Sequence, residues 1–138
     1  MTLRGLLLLA GILQFGIAGL NLFLAPLLKW EADLARAPLL LREVFQVHVW
    51  FISITLAIFA TITMRFSLEM IQGTNAAARW LAGGIGIFWG IRAILQITYY
   101  SASHWRGKRD RTFIHIGLLA VYGGFAMVYL LAAFGGVR

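Results

Sequence analysis

A chain of 138 residues with 61 % hydrophobic and 12 % charged residues departs from soluble composition in both directions, since ordinary domains carry about 45–50 % apolar and about 25 % charged residues. A small core leaves much of its surface exposed, so lipid must cover the apolar excess. The net charge of +7 gathers at the ends of apolar runs, which points to anionic headgroups and topology rather than nucleic acid; the lack of cysteine excludes disulfides, thiolate metal sites and cysteine nucleophiles.

The first apolar run is Leu3 to Leu28. Arg4 followed by apolar residues from Gly5 onward resembles the start of a signal peptide. The run is longer than a signal h-region and has no clear small-x-small cleavage site, so a retained helix is expected. The second run is Val44 to Met64, the third Trp80 to Tyr100, interrupted only by Arg92, and the fourth Phe113 to Phe134. Each has about 20 residues or more, enough to cross a hydrocarbon core about 30 Å thick. The runs are continuous rather than alternating, which favours helices over barrel strands.

The connections are short. Lys29 to Glu43 contains Pro38, a candidate start for an interfacial turn; Arg65 to Arg79 contains the turn cluster Gly73-Thr74-Asn75; Ser101 to Thr112 completes the set. The expected fold is an all-α membrane protein. Residues 1–138 form a single transmembrane domain, a four-helix up-down bundle with left-handed crossings.

Orientation follows from the basic residues. Arg4, Arg65, Arg79 and Arg138 fall on one side. Lys29, Arg36, Arg42, Arg106, Lys108, Arg109 and Arg111 fall on the other, and Arg92 completes the 12 Lys and Arg. The richer side is expected in the cytoplasm, with both termini outside. Trp30 and Trp105 at the inner boundary and Trp80 at the outer one fit an aromatic belt.

Each span carries polar residues. The first has Gln14 and Asn21, seven apart. The second offers two faces, Gln46-Trp50-Ser53 or His48 with Thr55. The third has Arg92, with Trp89, Gln96 and Tyr99 on the same stripe, and the fourth has His115, Tyr122 and Tyr129 at seven-residue spacing. Counted from the inner boundary, Ser53, Arg92 and Tyr122 share a depth, while Asn21, His48, Gln96 and His115 fall in the inner third. A ligand site in the cytoplasmic half is therefore expected, built from Arg92, Gln96, Trp89, Tyr99, Asn21, His48, His115 and Tyr122.

Arg92 is the most informative of these, because a charge at membrane depth is costly and faces a bundle interior, a cavity or a partner. The acids Glu31, Asp33, Glu43, Glu69 and Asp110 lie in connections or at boundaries. The nearest in depth, Glu43, is roughly 15 Å away along the normal at 1.5 Å per residue, and Arg92 leans toward its helix N-terminus, away from it. An anionic ligand or an acid on another chain is one expectation. The plainer one is that Arg92 ties helices together through carbonyls and hydroxyls.

Ala78, Ala82, Gly86 and Gly90 recur at four-residue spacing on the opposite face of the third run, where a helix can approach closely. Ala82, Gly86 and Gly90 are the expected contact for a protein partner or a homo-oligomer. Three functional readings result. The first is an accessory or structural subunit of a larger membrane assembly. The second is a binding protein for a quinone, lipid or other apolar or anionic ligand. The third is a membrane enzyme or haem protein, with His48 and His115 as axial ligands of haem b. No cofactor and no metal is the base expectation, since the third histidine, His104, lies in a connection. No nucleophile motif, phosphate loop or zinc helix is present in the sequence.

Overall fold

The computed structural model describes residues 2–27, 29–98 and 109–135. Every element among the described residues is a helix: α1 (Leu3–Leu22), α2 (Leu24–Leu27), α3 (Glu31–Arg36), α4 (Leu39–Gln72), α5 (Ala76–Thr98) and α6 (Arg109–Phe134). Of these, α1, α4, α5 and α6 are long and apolar enough to cross a membrane. The protein is an all-helical, multi-pass membrane protein.

The helix ends differ from the ends of the apolar runs, for local reasons. The first run does not stay helical to Leu28. Pro26 has no N–H for the carbonyl of Leu22, and its ring crowds that carbonyl, so α1 stops at Leu22 and a turn at Phe23 precedes α2. The chain then leaves α2 through Lys29 at φ 57°. Its N–H bonds the Pro26 carbonyl at 3.2 Å, and the Trp30 N–H bonds the Ala25 carbonyl at 2.9 Å. This is the paired closure of a Schellman cap, with a lysine at the left-handed position that glycine normally takes. Lys29→Gly is expected to raise stability by about 1 kcal/mol, because a side chain is disfavoured there. The check is the midpoint of unfolding in a mixed-micelle denaturant titration.

Helix α4 begins directly after Pro38, whose carbonyl accepts from Arg42 N–H at 3.2 Å. The stretch from Leu39 to the kink at Phe66 alone reaches about 40 Å at 1.5 Å per residue, beyond a hydrocarbon core of about 30 Å. Nothing between Arg65 and Gln72 forbids a helix, so it continues past the apolar run. Only Phe66 leaves helical values, at φ −113° and ψ 15°. The stop is Gly73, at φ 71°, where a Cβ would be disfavoured. Asn75 then caps α5, its Oδ1 accepting from Ala78 N–H at 3.2 Å. The connection expected over Arg65 to Arg79 is therefore reduced to the Gly73-Thr74-Asn75 cluster.

The chain divides into two compact units, Leu8–Arg65 and Met1–Leu7 with Phe66–Arg138. In the first, α1 and α4 pair in antiparallel fashion. Gly11 meets Met64 and the Ala60 carbonyl, and Asn21 Nδ2 donates to the Val49 carbonyl at 3.0 Å and to Ser53 Oγ at 2.9 Å. Of the two polar faces expected on the second span, Ser53 is buried, whereas Gln46, Trp50 and His48 are exposed.

In the second unit, α5 and α6 pair antiparallel through the small residues of α5. A Cβ on Gly86 would lie 2.9 Å from Leu130 Cγ and 3.2 Å from its backbone nitrogen; Gly83 faces Ala133 and Gly90 faces Ala126. Of the ridge Ala82, Gly86 and Gly90, the two glycines thus face α6 of the same chain, and Ala82 is buried. At the far end of the pair, Arg79 Nε donates to the Ala133 carbonyl at 2.9 Å. It satisfies an orphan acceptor at the C-terminal end of α6, where a cation is favoured.

Hydroxyl groups on these helices turn inward on their own backbone. Thr55, Thr61, Thr63 and Thr98 each donate to the carbonyl four residues earlier, at 2.7 to 2.9 Å. In water such bonds compete with solvent. In hydrocarbon they are how a lone hydroxyl is satisfied. Large apolar side chains such as Ile87, Ile91 and Ile94 stand outward, as lipid contact allows.

Candidate polar site between α5 and α6

Five of the eight expected site residues come together in one unit. Trp89, Arg92 and Gln96 occupy one face of α5 at helical spacing, and His115 and Tyr122 stand seven apart on α6. On α5, Arg92 lies 16 residues after Ala76 and six residues, about 9 Å, before Thr98, the last described residue of the helix.

The polar part is a directed chain. Arg92 Nη1 donates to Gln96 Oε1 at 3.1 Å, and Gln96 Nε2 lies 3.0 Å from His115 Nδ1. A guanidinium only donates, so the amide must turn its oxygen to Arg92 and its nitrogen to His115. An amide nitrogen also only donates, so His115 Nδ1 accepts. The neutral imidazole then carries its proton on Nε2. Arg92 thereby sets the amide orientation, and the amide sets the tautomer of a histidine on the neighbouring helix. Gln96 is 6 % exposed, so water competes little for its two bonds.

The aromatic part supports the same guanidinium. Arg92 Cζ lies 4.7 Å from the centroid of the Tyr122 ring, within cation–π range. Tyr122 stacks on Trp89 with centroids 5.3 Å apart and planes at 19°. Trp89 meets Phe125 edge-on at 4.9 Å. A cation, an amide, an imidazole and three rings thus bridge α5 and α6. Arg92 and His115 remain half-buried, while Trp89, Gln96 and Tyr122 are buried.

The other expected residues are placed elsewhere. Asn21 belongs to the unit Leu8–Arg65, where Ser53 and Val49 hold its amide. His48 is in that unit too, exposed, with Nδ1 2.8 Å from the Val44 carbonyl of its own helix. The two histidines paired for haem therefore fall in different units. Tyr99, His104, Trp105, Arg106 and Lys108 lie outside the described residues. Among the described residues no group of three or more His, Cys, Asp or Glu is arranged to hold a metal ion.

Two contributors were not anticipated. Phe125 carries no polar signal, although its place three residues after Tyr122 on the same helical face was available to a spacing argument. Arg79 was read only as a topology charge, and its partner is a backbone carbonyl, which no side-chain pattern reveals. No protein-family model matches the chain, and no match is found among curated proteins or solved structures.

Proposed function

We propose that the chain is an accessory, structural subunit of a larger membrane assembly or of its own oligomer, meeting its partner at the Arg92 cluster. The supporting observation is a half-buried guanidinium held in fixed position by Gln96 and Tyr122 within a span. Ionisable groups at membrane depth mark partner or ligand contacts, and a cation already oriented loses little freedom when an acidic group docks. The close-packing ridge of α5 is used inside the chain, which directs the search for a partner to this cluster. The accompanying topology is an up-down four-helix bundle, with the Lys29–Glu43 and Ser101–Thr112 connections in the cytoplasm and both termini outside.

A second reading is favoured by the composition of the same cluster. Arginine, an imidazole Nε2–H donor and stacked rings suit a small molecule with an apolar body and an anionic or carbonyl head, such as a quinone or lipid. One measurement separates the two. Native mass spectrometry of the chain released from its own membranes is expected to show a protein-sized adduct, lost in Arg92→Leu and retained in Arg92→Lys. A small-molecule adduct with the same dependence supports the second reading. A wild-type chain that emerges bare, or an adduct indifferent to Arg92, overturns both.

A further inference from the structure

The unit Leu8–Arg65 contains an open cavity of about 380 Å³, lined by residues of that unit alone. It exists because of the two backbone events described above. The Pro26 break ends α1, and the left-handed turn at Lys29 sends α3 beside the first turns of α4. Its walls come from all these segments, with Asn21 and Leu22 on α1, Glu31 and Leu34 on α3, and Arg42 and Phe45 on α4. Gln46 and Val49 continue the α4 wall at helical spacing from Arg42.

The lining has two charges of opposite sign over an apolar floor. Glu31 is the acid and Arg42 the base, and both are exposed. Asn21 spends its amide hydrogens on Val49 and Ser53, which leaves Oδ1 as an acceptor. Gln46 adds a second amide. Arg42 and the Gln46 nitrogen suit a phosphate; Glu31 and Asn21 Oδ1 suit an ammonium. Leu22, Leu34, Phe45 and Val49 suit the glycerol and the upper part of an acyl chain. The cavity lies where α1 ends, at the level where headgroups reside if α1 spans. Its volume is within the range of about 300–1,000 Å³ typical of small-molecule sites.

We infer that this cavity binds a membrane phospholipid through a zwitterionic headgroup, one that carries both a phosphate and an ammonium. A bare anion satisfies Arg42 but stands against Glu31. An anionic phospholipid without an ammonium, such as phosphatidylglycerol, does the same, whereas a headgroup with a phosphate and an ammonium uses both charges.

The test is native mass spectrometry of the detergent-purified full chain with equimolar phosphatidylethanolamine and phosphatidylglycerol. The wild type is expected to retain phosphatidylethanolamine over phosphatidylglycerol by up to about fivefold, the discrimination that an exposed charge contact can supply. Glu31→Gln is expected to erase or reverse this preference, and Arg42→Gln to lower retention of both lipids. Both side chains are exposed, so both variants keep the fold; unchanged helical circular dichroism verifies this. Excess inorganic phosphate is expected to leave the lipid adducts in place. Equal retention of the two lipids by the wild type, an unchanged ratio in Glu31→Gln, or displacement by inorganic phosphate overturns the inference. Arg92→Leu leaves the lipid ratio unchanged, so this site and the Arg92 cluster stand or fall separately.

Discussion

Replacing Gly86 by leucine is expected to weaken the α5–α6 pair by about 3 kcal/mol, the upper part of the range for overpacking. Even the first added carbon would sit 2.9 Å from Leu130 Cγ and 3.2 Å from its backbone nitrogen. The leucine side chain can rotate away, but the backbone nitrogen cannot. The helices must then separate, and with them the contacts of Trp89 and Gln96 on α6. Gly84 is the control: it is exposed and a Cβ there meets nothing within 4 Å, so Gly84→Leu is expected to be neutral or to raise stability by up to about 1 kcal/mol, as removal of a glycine from a helix interior does. The two variants are compared by denaturant titration in mixed micelles. Equal effects would show that the ridge is not a packing surface.

The second large effect is expected at Gln96. Gln96→Leu keeps the size and apolar stem but removes the acceptor used by Arg92 and the donor used by His115. Neutral interhelical bonds in membranes average about 0.6 kcal/mol. One of the two bonds here involves a cation, and hydrogen bonds to charged groups contribute about 1.5–3 kcal/mol. A loss of about 2 kcal/mol is expected. Gln96→Glu is the informative companion. A carboxylate still accepts from Arg92, more strongly than an amide, but it cannot donate to His115. Stability is expected to return toward wild type while His115 changes tautomer and places its proton on Nδ1. A steric role for Gln96 predicts no such tautomer change.

Much of this was legible in the sequence, and the reasons are specific. The four spans follow from composition and run length, because the bilayer fixes both the polarity and the length of what crosses it. Their ends do not, because caps and breaks are local backbone events. Pro26 shortens the first helix, Asn75 caps a third span that begins four residues before Trp80, and α4 bends at Phe66 but resumes to Gln72, where Gly73 stops it. The meeting of Arg92, Gln96, His115 and Tyr122 was legible because residues three, four or seven apart share a helical face. Asn21 and His48 were assigned to the same site by the same combination of helical stripe and depth as His115 and Tyr122. Depth says how far along the membrane normal a residue lies but not which neighbour it faces, and Asn21 bonds Ser53 instead. The ridge of Ala82, Gly86 and Gly90 announced close packing without saying with which helix.

The central claim is that one hydrogen-bond relay, directed from Arg92 through Gln96 to His115, joins α5 to α6. Nitrogen-15 NMR of the imidazole rings tests it most directly. The chain has 3 histidines, and loss of one signal pair in His115→Asn assigns His115. The relay predicts a His115 ring with Nε2 protonated and Nδ1 unprotonated and hydrogen-bonded, an arrangement lost in Gln96→Leu. A proton on Nδ1 in the wild type would contradict it.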